Sequence, residues 1–308
     1  MNQMITLFRR EIWEHRSILA VPTVFGGLFV VAAILGVFGL VKVTMGDGQF
    51  SDYTLSELAG QVQPHQWRPG MEVLFASVAT TLQMIMGVVV FFYLIDALYT
   101  ERRDRSILFW KSLPVTDAQV VASKFLTGAV VIPAVTVAVF LATCVVLWLI
   151  GGLTALVAGT GAALAAGPAA MLKIAAVMVY ALLVQAVWYA PLYAWLLLAS
   201  AYAKRAVLLW AVLPPVGLII AEQILFGTER FAEFLGERIV GGFALAFDHM
   251  QHGVGWDVAG EGATGFPPLA EILTPGRFLA APETWVGLAL AFILLAGAVW
   301  LRRWRDEA

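Results

Sequence analysis

Residues 151–171 read GGLTALVAGTGAALAAGPAAM, and whether this stretch crosses a membrane decides the fold. It carries no charge and is long enough to be taken for a span. Its seven glycines or threonines and Pro168 disfavour a helix. Gly161 to Ala170 is mostly small side chains with little transfer energy into lipid. The expectation is therefore a reentrant or interfacial turn outside the membrane, between two true spans.

Six runs of about 20 apolar residues, the length a helix needs to cross a bilayer, surround that stretch. They lie at about 18–41, 73–98, 125–150, 174–201, 206–226 and 285–301. Irregular backbone facing lipid leaves N–H and C=O groups without partners, so each run is expected to be a helix. The first run is too long for a signal-peptide core, and no small-residue cleavage site follows it. With six spans and both termini in the cytoplasm, the cytoplasmic segments hold 13 basic residues and the outer segments and their boundaries hold 6. A seventh span at 151–171 would put Arg302, Arg303 and Arg305 outside. The charge asymmetry selects six.

Composition agrees. The chain has 308 residues, of which 61% are hydrophobic and 13% charged. A soluble domain is about half apolar and a quarter charged, and its core cannot absorb the excess seen here. The expected class is an all-α membrane protein with a single transmembrane domain over 1–308. A net charge of −2 gives no electrostatic footprint for nucleic acid. Cys144 is the only cysteine, which excludes an intrachain disulfide and a cysteine-cluster metal site.

The segments between spans carry the rest. In residues 1–17, Met1, Met4, Ile5, Phe8 and Ile12 share one helical face, with Arg9, Arg10 and Arg16 elsewhere. That pattern predicts an interfacial helix against anionic lipid. Residues 99–124 form the cytoplasmic loop after the second span. It runs Tyr99-Thr100-Glu101-Arg102-Arg103-Asp104-Arg105-Ser106, then Leu113-Pro114-Val115-Thr116-Asp117, and reaches Lys124 at the third span. Thr116 and Asp117 stand where a helix N-cap follows a proline turn. Mixed charges on such a loop suit a polar docking surface, but charge alone favours a solvated loop that only sets topology. The outer segment 227–284 opens with Phe231, Phe234, Leu235, Ile239, Phe243 and Phe247 near helical spacing, which predicts an amphipathic helix over 229–247. The outer segment 44–72 reads as a loop with at most one short helix around 51–62.

Glu101-Arg102, Ser106, Leu113-Pro114-Val115 and Lys124 together resemble the loop of type-2 ABC-transporter permeases, the membrane-spanning subunits of bacterial ABC exporters. The six-span layout, cytoplasmic ends and long outer segment before the last span are similar too. The resemblance implies that 99–124 is a coupling segment receiving motion from an ATPase subunit. Glu101, Arg102, Arg103, Arg105 and Asp117 would then meet that partner, beside Arg9 and Arg10 of the N-terminal helix, with Pro114 and Lys124 fixing the loop. It further implies a second permease copy or a related permease, a place in the bacterial inner membrane, and ATP and Mg bound by the partner. The chain itself carries no G-x-x-x-x-G-K-[ST] phosphate loop and no expected cofactor.

The polar residues singled out inside the spans are Gln83, Asp96, Thr143, Gln185 and Glu222. Ionisable groups there are functional candidates by default. Asp96 and Glu222 lie near span ends, with Arg102 or Arg103 as possible partners for Asp96, whereas the glutamines suit interhelical hydrogen bonds. Asp248, His249 and His252 have ligand-like spacing but no firm third ligand, so a polar loop is expected there. Pro191 and Pro214-Pro215 are expected to kink spans four and five. The function that follows is export of a lipid-like, peptide or amphipathic substrate. A membrane-embedded enzyme or an ATP-independent carrier is the alternative, for which convergent catalytic residues or several midplane charges would be needed.

Overall fold

The computed structural model describes residues 3–38, 64–104, 115–159, 161–248 and 267–304. They form helices α1 (Gln3–Glu14), α2 (Ser17–Val37), α3 (Trp67–Ala97), α4 (Tyr99–Arg103), α5 (Asp117–Leu126), α6 (Ile132–Val157), α7 (Ala162–Trp188), α8 (Ala190–Tyr202), α9 (Val207–Phe226), α10 (Arg230–Ala246), α11 (Leu269–Ile272), α12 (Pro275–Ala280) and α13 (Pro282–Trp304). Six helical stretches are long and apolar enough to cross a membrane: 17–37, 67–103, 117–157, 162–188, 207–226 and 282–304. The chain is an all-α multi-pass membrane protein. Among the described residues the only pairing of strand type is the isolated bridge between Phe247 and Leu273.

Helix α3 is the axis of the bundle. It packs on α2, α6, α7 and α8, and buries Phe75, Leu82, Met86, Val90 and Leu94. Cys144 lies against the same core and is fully buried. Helices α2 and α9 are peripheral, and α9 buries only Val207 and Ala211. Both α1 and the C-terminal end of α13 meet α5, so the two terminal helices share one end of the bundle. That end is called basal here, and the opposite one distal.

Residues 151–171 correct the expected turn. Helix α6 runs on to Val157 and α7 begins at Ala162, leaving a reversal of only a few residues. Low propensity is overridden by close packing that only small residues permit. Gly167 lies flat against the Trp148 indole, Gly152 against Leu164, and the Trp148 Nε1–H donates to the Leu164 carbonyl at 3.2 Å. The span expected over 174–201 is accordingly two helices, α7 and α8, joined at Tyr189. Pro191 has no N–H for the carbonyl of Val187, which explains the break there. The six spanning stretches remain six.

Two other local features follow from proline. A π-turn at Thr127–Val131 precedes Pro133, which sits at the start of α6 and cannot donate to Ala129. In α9, Pro214 and Pro215 leave the carbonyls of Trp210 and Ala211 without their helical donors. The Trp195 indole of α8 supplies one, donating to Ala211 O at 2.9 Å.

Candidate functional site

The basal end is closed by a buried network of charges. Its first member is Glu11 of α1, which is 1% exposed. One carboxylate oxygen accepts from Lys124 Nζ of α5 at 3.0 Å, and the other from the Tyr93 hydroxyl of α3 at 2.8 Å. Lys124, also 1% exposed, reaches Glu101 Oε1 of α4 at 3.1 Å. Glu101 Oε2 in turn accepts from Arg302 of α13 at 2.5 Å, and Arg302 Nε donates to Asp117 Oδ1 at 3.0 Å. Arg10 lies 3.7 Å from Glu101 and 2.8 Å from Glu14. The carboxylates of Glu11, Glu101 and Asp117 are thus matched by Lys124, Arg302 and Arg10, as buried charge requires.

Local structure places each member. Thr116 caps α5 with a capping box, its hydroxyl accepting from Gln119 N at 3.2 Å while the Gln119 side chain accepts from Thr116 N at 2.9 Å. That fixes the first turn of α5, so Asp117 faces Arg302 and Lys124 emerges two turns later on the buried side. Helix α4 continues α3 after a slight break at Leu98, and the Ser200 hydroxyl of α8 accepts from Leu98 N at 3.1 Å and Tyr99 N at 3.0 Å. Arg102, on the other side of α4, donates to Ser200 O at 2.5 Å and Ala203 O at 2.8 Å. It therefore satisfies carbonyls left open at the C-terminus of α8.

His15 borders this network. Its ring meets Tyr93 edge-on, with centroids 5.0 Å apart, and Nε2 lies 3.9 Å from Glu11. Burial lowers its pKa from the ordinary imidazole value, Lys124 adds to that, and Glu11 opposes it.

Of the residues expected at a docking surface, Glu101, Asp117 and Arg10 are brought together around the loop-fixing Lys124, but inward. Glu101 and Arg102 are 4% and 5% exposed, so the charges read as an outward-facing surface instead bind the loop's flanks to the bundle. Arg103 does face solvent, paired with Asp104 at 3.0 Å, and Arg9 is exposed. Arg105 and Pro114 lie outside the described residues. On α1 the inward face is centred on Leu7 and Glu11, with Phe8 and Ile12 only half-buried, because the ion pairs draw Glu11 in. Asp96 is half-buried one turn before Thr100; of its two expected partners, Arg102 is engaged by α8 and Arg103 pairs with Asp104.

The other polar residues are interhelical ties. Gln83 donates to Gln185, whose amide donates to the Tyr193 hydroxyl at 2.9 Å, joining α3, α7 and α8. Glu222 caps α10 by accepting from the Thr228 hydroxyl at 2.7 Å and from Phe231 N at 2.8 Å. Asp248 pairs with Arg277 at 2.7 Å on the surface, while His249 and His252 lie outside the described residues.

Sequence reasoning missed Glu11, Tyr93, Ser200 and Arg302 as network members, and Arg238 altogether. Arg238 of α10 is 3% exposed; its guanidinium stands 4.4 Å from the Trp188 ring and donates to the Glu283 carbonyl of α13. Gly287 leaves room for it, and Gly242 leaves room for Trp188. Burial pulls the Arg238 pKa down, against Glu283 and Glu237. The only signal in the sequence was a cation, the second of two in 229–247, set among aromatic residues.

No curated protein and no solved structure matches the chain. Residues 69–193 match the family model described as ABC-2 family transporter protein. That stretch runs from the start of α3 past the break between α7 and α8, and includes the segment that carries Glu101 and Lys124. With six apolar spanning stretches in the chain, that segment is similar to the membrane-spanning part of type-2 ABC-transporter permeases.

Proposed function

We propose that this chain is the membrane-spanning permease subunit of an ATP-driven exporter, driven by a separate ATPase subunit that docks on the segment 99–124. The basal end then faces the bacterial cytoplasm, as the 13-to-6 distribution of basic residues favours. A second copy or a related permease completes the membrane domain. The observation that carries the reading is the buried network, because it joins both flanks of the proposed docking segment to α1 and α13. A push on the segment reaches several helices together instead of bending a loose loop. Spans with few charges suit a lipid-like, peptide or amphipathic substrate over an inorganic ion.

The expected outcome is co-purification with an ABC-type ATPase from the native membrane. Glu101→Gln in that complex should leave basal ATP hydrolysis in place and reduce its stimulation by substrate-containing lipid. Stimulation unchanged by both Glu101→Gln and Glu101→Arg overturns the coupling role.

A further inference from the structure

A second feature of the basal half lies away from the charge network. Helices α8, α9 and α13 diverge around a cleft of about 240 Å3, lined by Trp195, Leu198, Tyr202, Trp210, Pro214 and Leu301. Tyr202 and Trp210 meet edge-on with centroids 4.8 Å apart and are both exposed. Leu301 is adjacent to Arg302, and Trp195 stands seven residues before Tyr202, so the cleft climbs about 10 Å into the bilayer from the network's level. At that depth its apolar walls face acyl chains, and the Trp195 indole N–H is already used by Ala211 O.

The mouth of the cleft has a charge. Helices α8 and α9 are joined by Ala203, Lys204, Arg205 and Ala206, and Ala206 is the only non-glycine residue with positive φ among those described. Lys204 and Arg205 are exposed, and neither has an ion pair among the described residues. Basic residues after a helix usually serve its C-terminal carbonyls. Here Arg102 has taken that role at Ser200 O and Ala203 O, which leaves both cations of the connection for another anion.

We infer that this cleft binds one anionic diacyl phospholipid, with an acyl chain between α8, α9 and α13 and the headgroup phosphate against Lys204 and Arg205. The placement of that lipid in the cytoplasmic leaflet rests on the orientation proposed above; the binding itself does not. The charge complementarity selects an anionic headgroup, and the aromatic walls grip a chain that a flat helix surface would not retain.

The test is native mass spectrometry of the purified chain in detergent, with palmitoyl-oleoyl phosphatidylglycerol or the corresponding phosphatidylcholine added. One phosphatidylglycerol per chain is expected to survive micelle removal, preferred over phosphatidylcholine on the order of tenfold. Lys204→Ala with Arg205→Ala should abolish the preference. Leu198→Trp, which fills the cleft, should lower retention of both lipids; Trp210→Ala, at an exposed position, checks the same wall should the filled variant fail to fold. Equal retention of the two lipids, a preference that survives the double substitution, retention unmoved by the wall variants, or a chain dimer in place of the lipid adduct overturns the assignment. The measurement uses neither ATPase nor transport, so its failure is distinct from failure of the export reading.

Discussion

Lys124 stands between two carboxylates, 3.0 Å from Glu11 and 3.1 Å from Glu101, with almost no access to water. Removing it leaves two acids facing each other across a desolvated gap. Lys124→Met is therefore expected to destabilise the protein by about 3–5 kcal/mol, read as a lower midpoint of thermal unfolding in detergent. Adding Glu101→Gln to Lys124→Met should recover part of that loss, since the stranded negative charge goes with it. His15 gives a pH signature. Its folded pKa is lowered, so the unfolded chain binds the proton more readily. Its contribution is intact above the ordinary value of 6.5 and is lost as the pH falls below it, until the folded ring protonates too. Unfolding midpoints at pH 7.5 and 5.5 should differ more for the native chain than for His15→Gln.

At the scale of elements, the reversal between α6 and α7 depends on glycines that admit bulky neighbours. Gly167→Leu must displace the Trp148 indole and is expected to cost about 1–3 kcal/mol, measured by the same unfolding midpoint. Gly159→Ala nearby has open space, although its φ of +89° strains any side chain. This contrast explains what the sequence made legible. Long apolar runs such as 206–226 announce α9 almost to the residue, because transfer into lipid depends on composition alone. The stretch 151–171 misleads because propensity is a property of single residues, whereas its helices are held by pairs such as Gly152 with Leu164. The network divides the same way. Glu101 and Lys124 were conspicuous within one loop, but their closure requires Glu11 and Arg302, which lie 113 residues before Lys124 and 201 after Glu101. Nothing local to either position marks that partnership.

At the scale of the whole molecule, α13 is held near both ends. Arg302 joins α4 and α5 at the base, while about 22 Å away, by helical rise, Gly287 accommodates Arg238 of α10. The proposed orientation can be checked without knowing the substrate. Cys144 is buried and is the only native thiol, so a Cys144→Ala background is a practical one for single reporters. Arg103→Cys, exposed at the base, is expected to react with impermeant maleimide only from the cytoplasmic side, and Gln223→Cys only from the other. Labelling of position 103 in intact cells would reverse the orientation.

The basal network also has a history in the making of each molecule. Glu11 and Lys124 can meet once the third spanning stretch is in place, but Glu101 and Asp117 must wait for Arg302 on the sixth. Throughout that interval Glu11, Glu101 and Asp117 have only Lys124 and Arg10 to match them, so the network itself is one cation short. Arg302 on the last helix supplies the missing cation to both Glu101 and Asp117. A chain truncated after its fifth span is therefore expected to expose Glu101 and Asp117 and to be cut by protease at its base faster than the full chain.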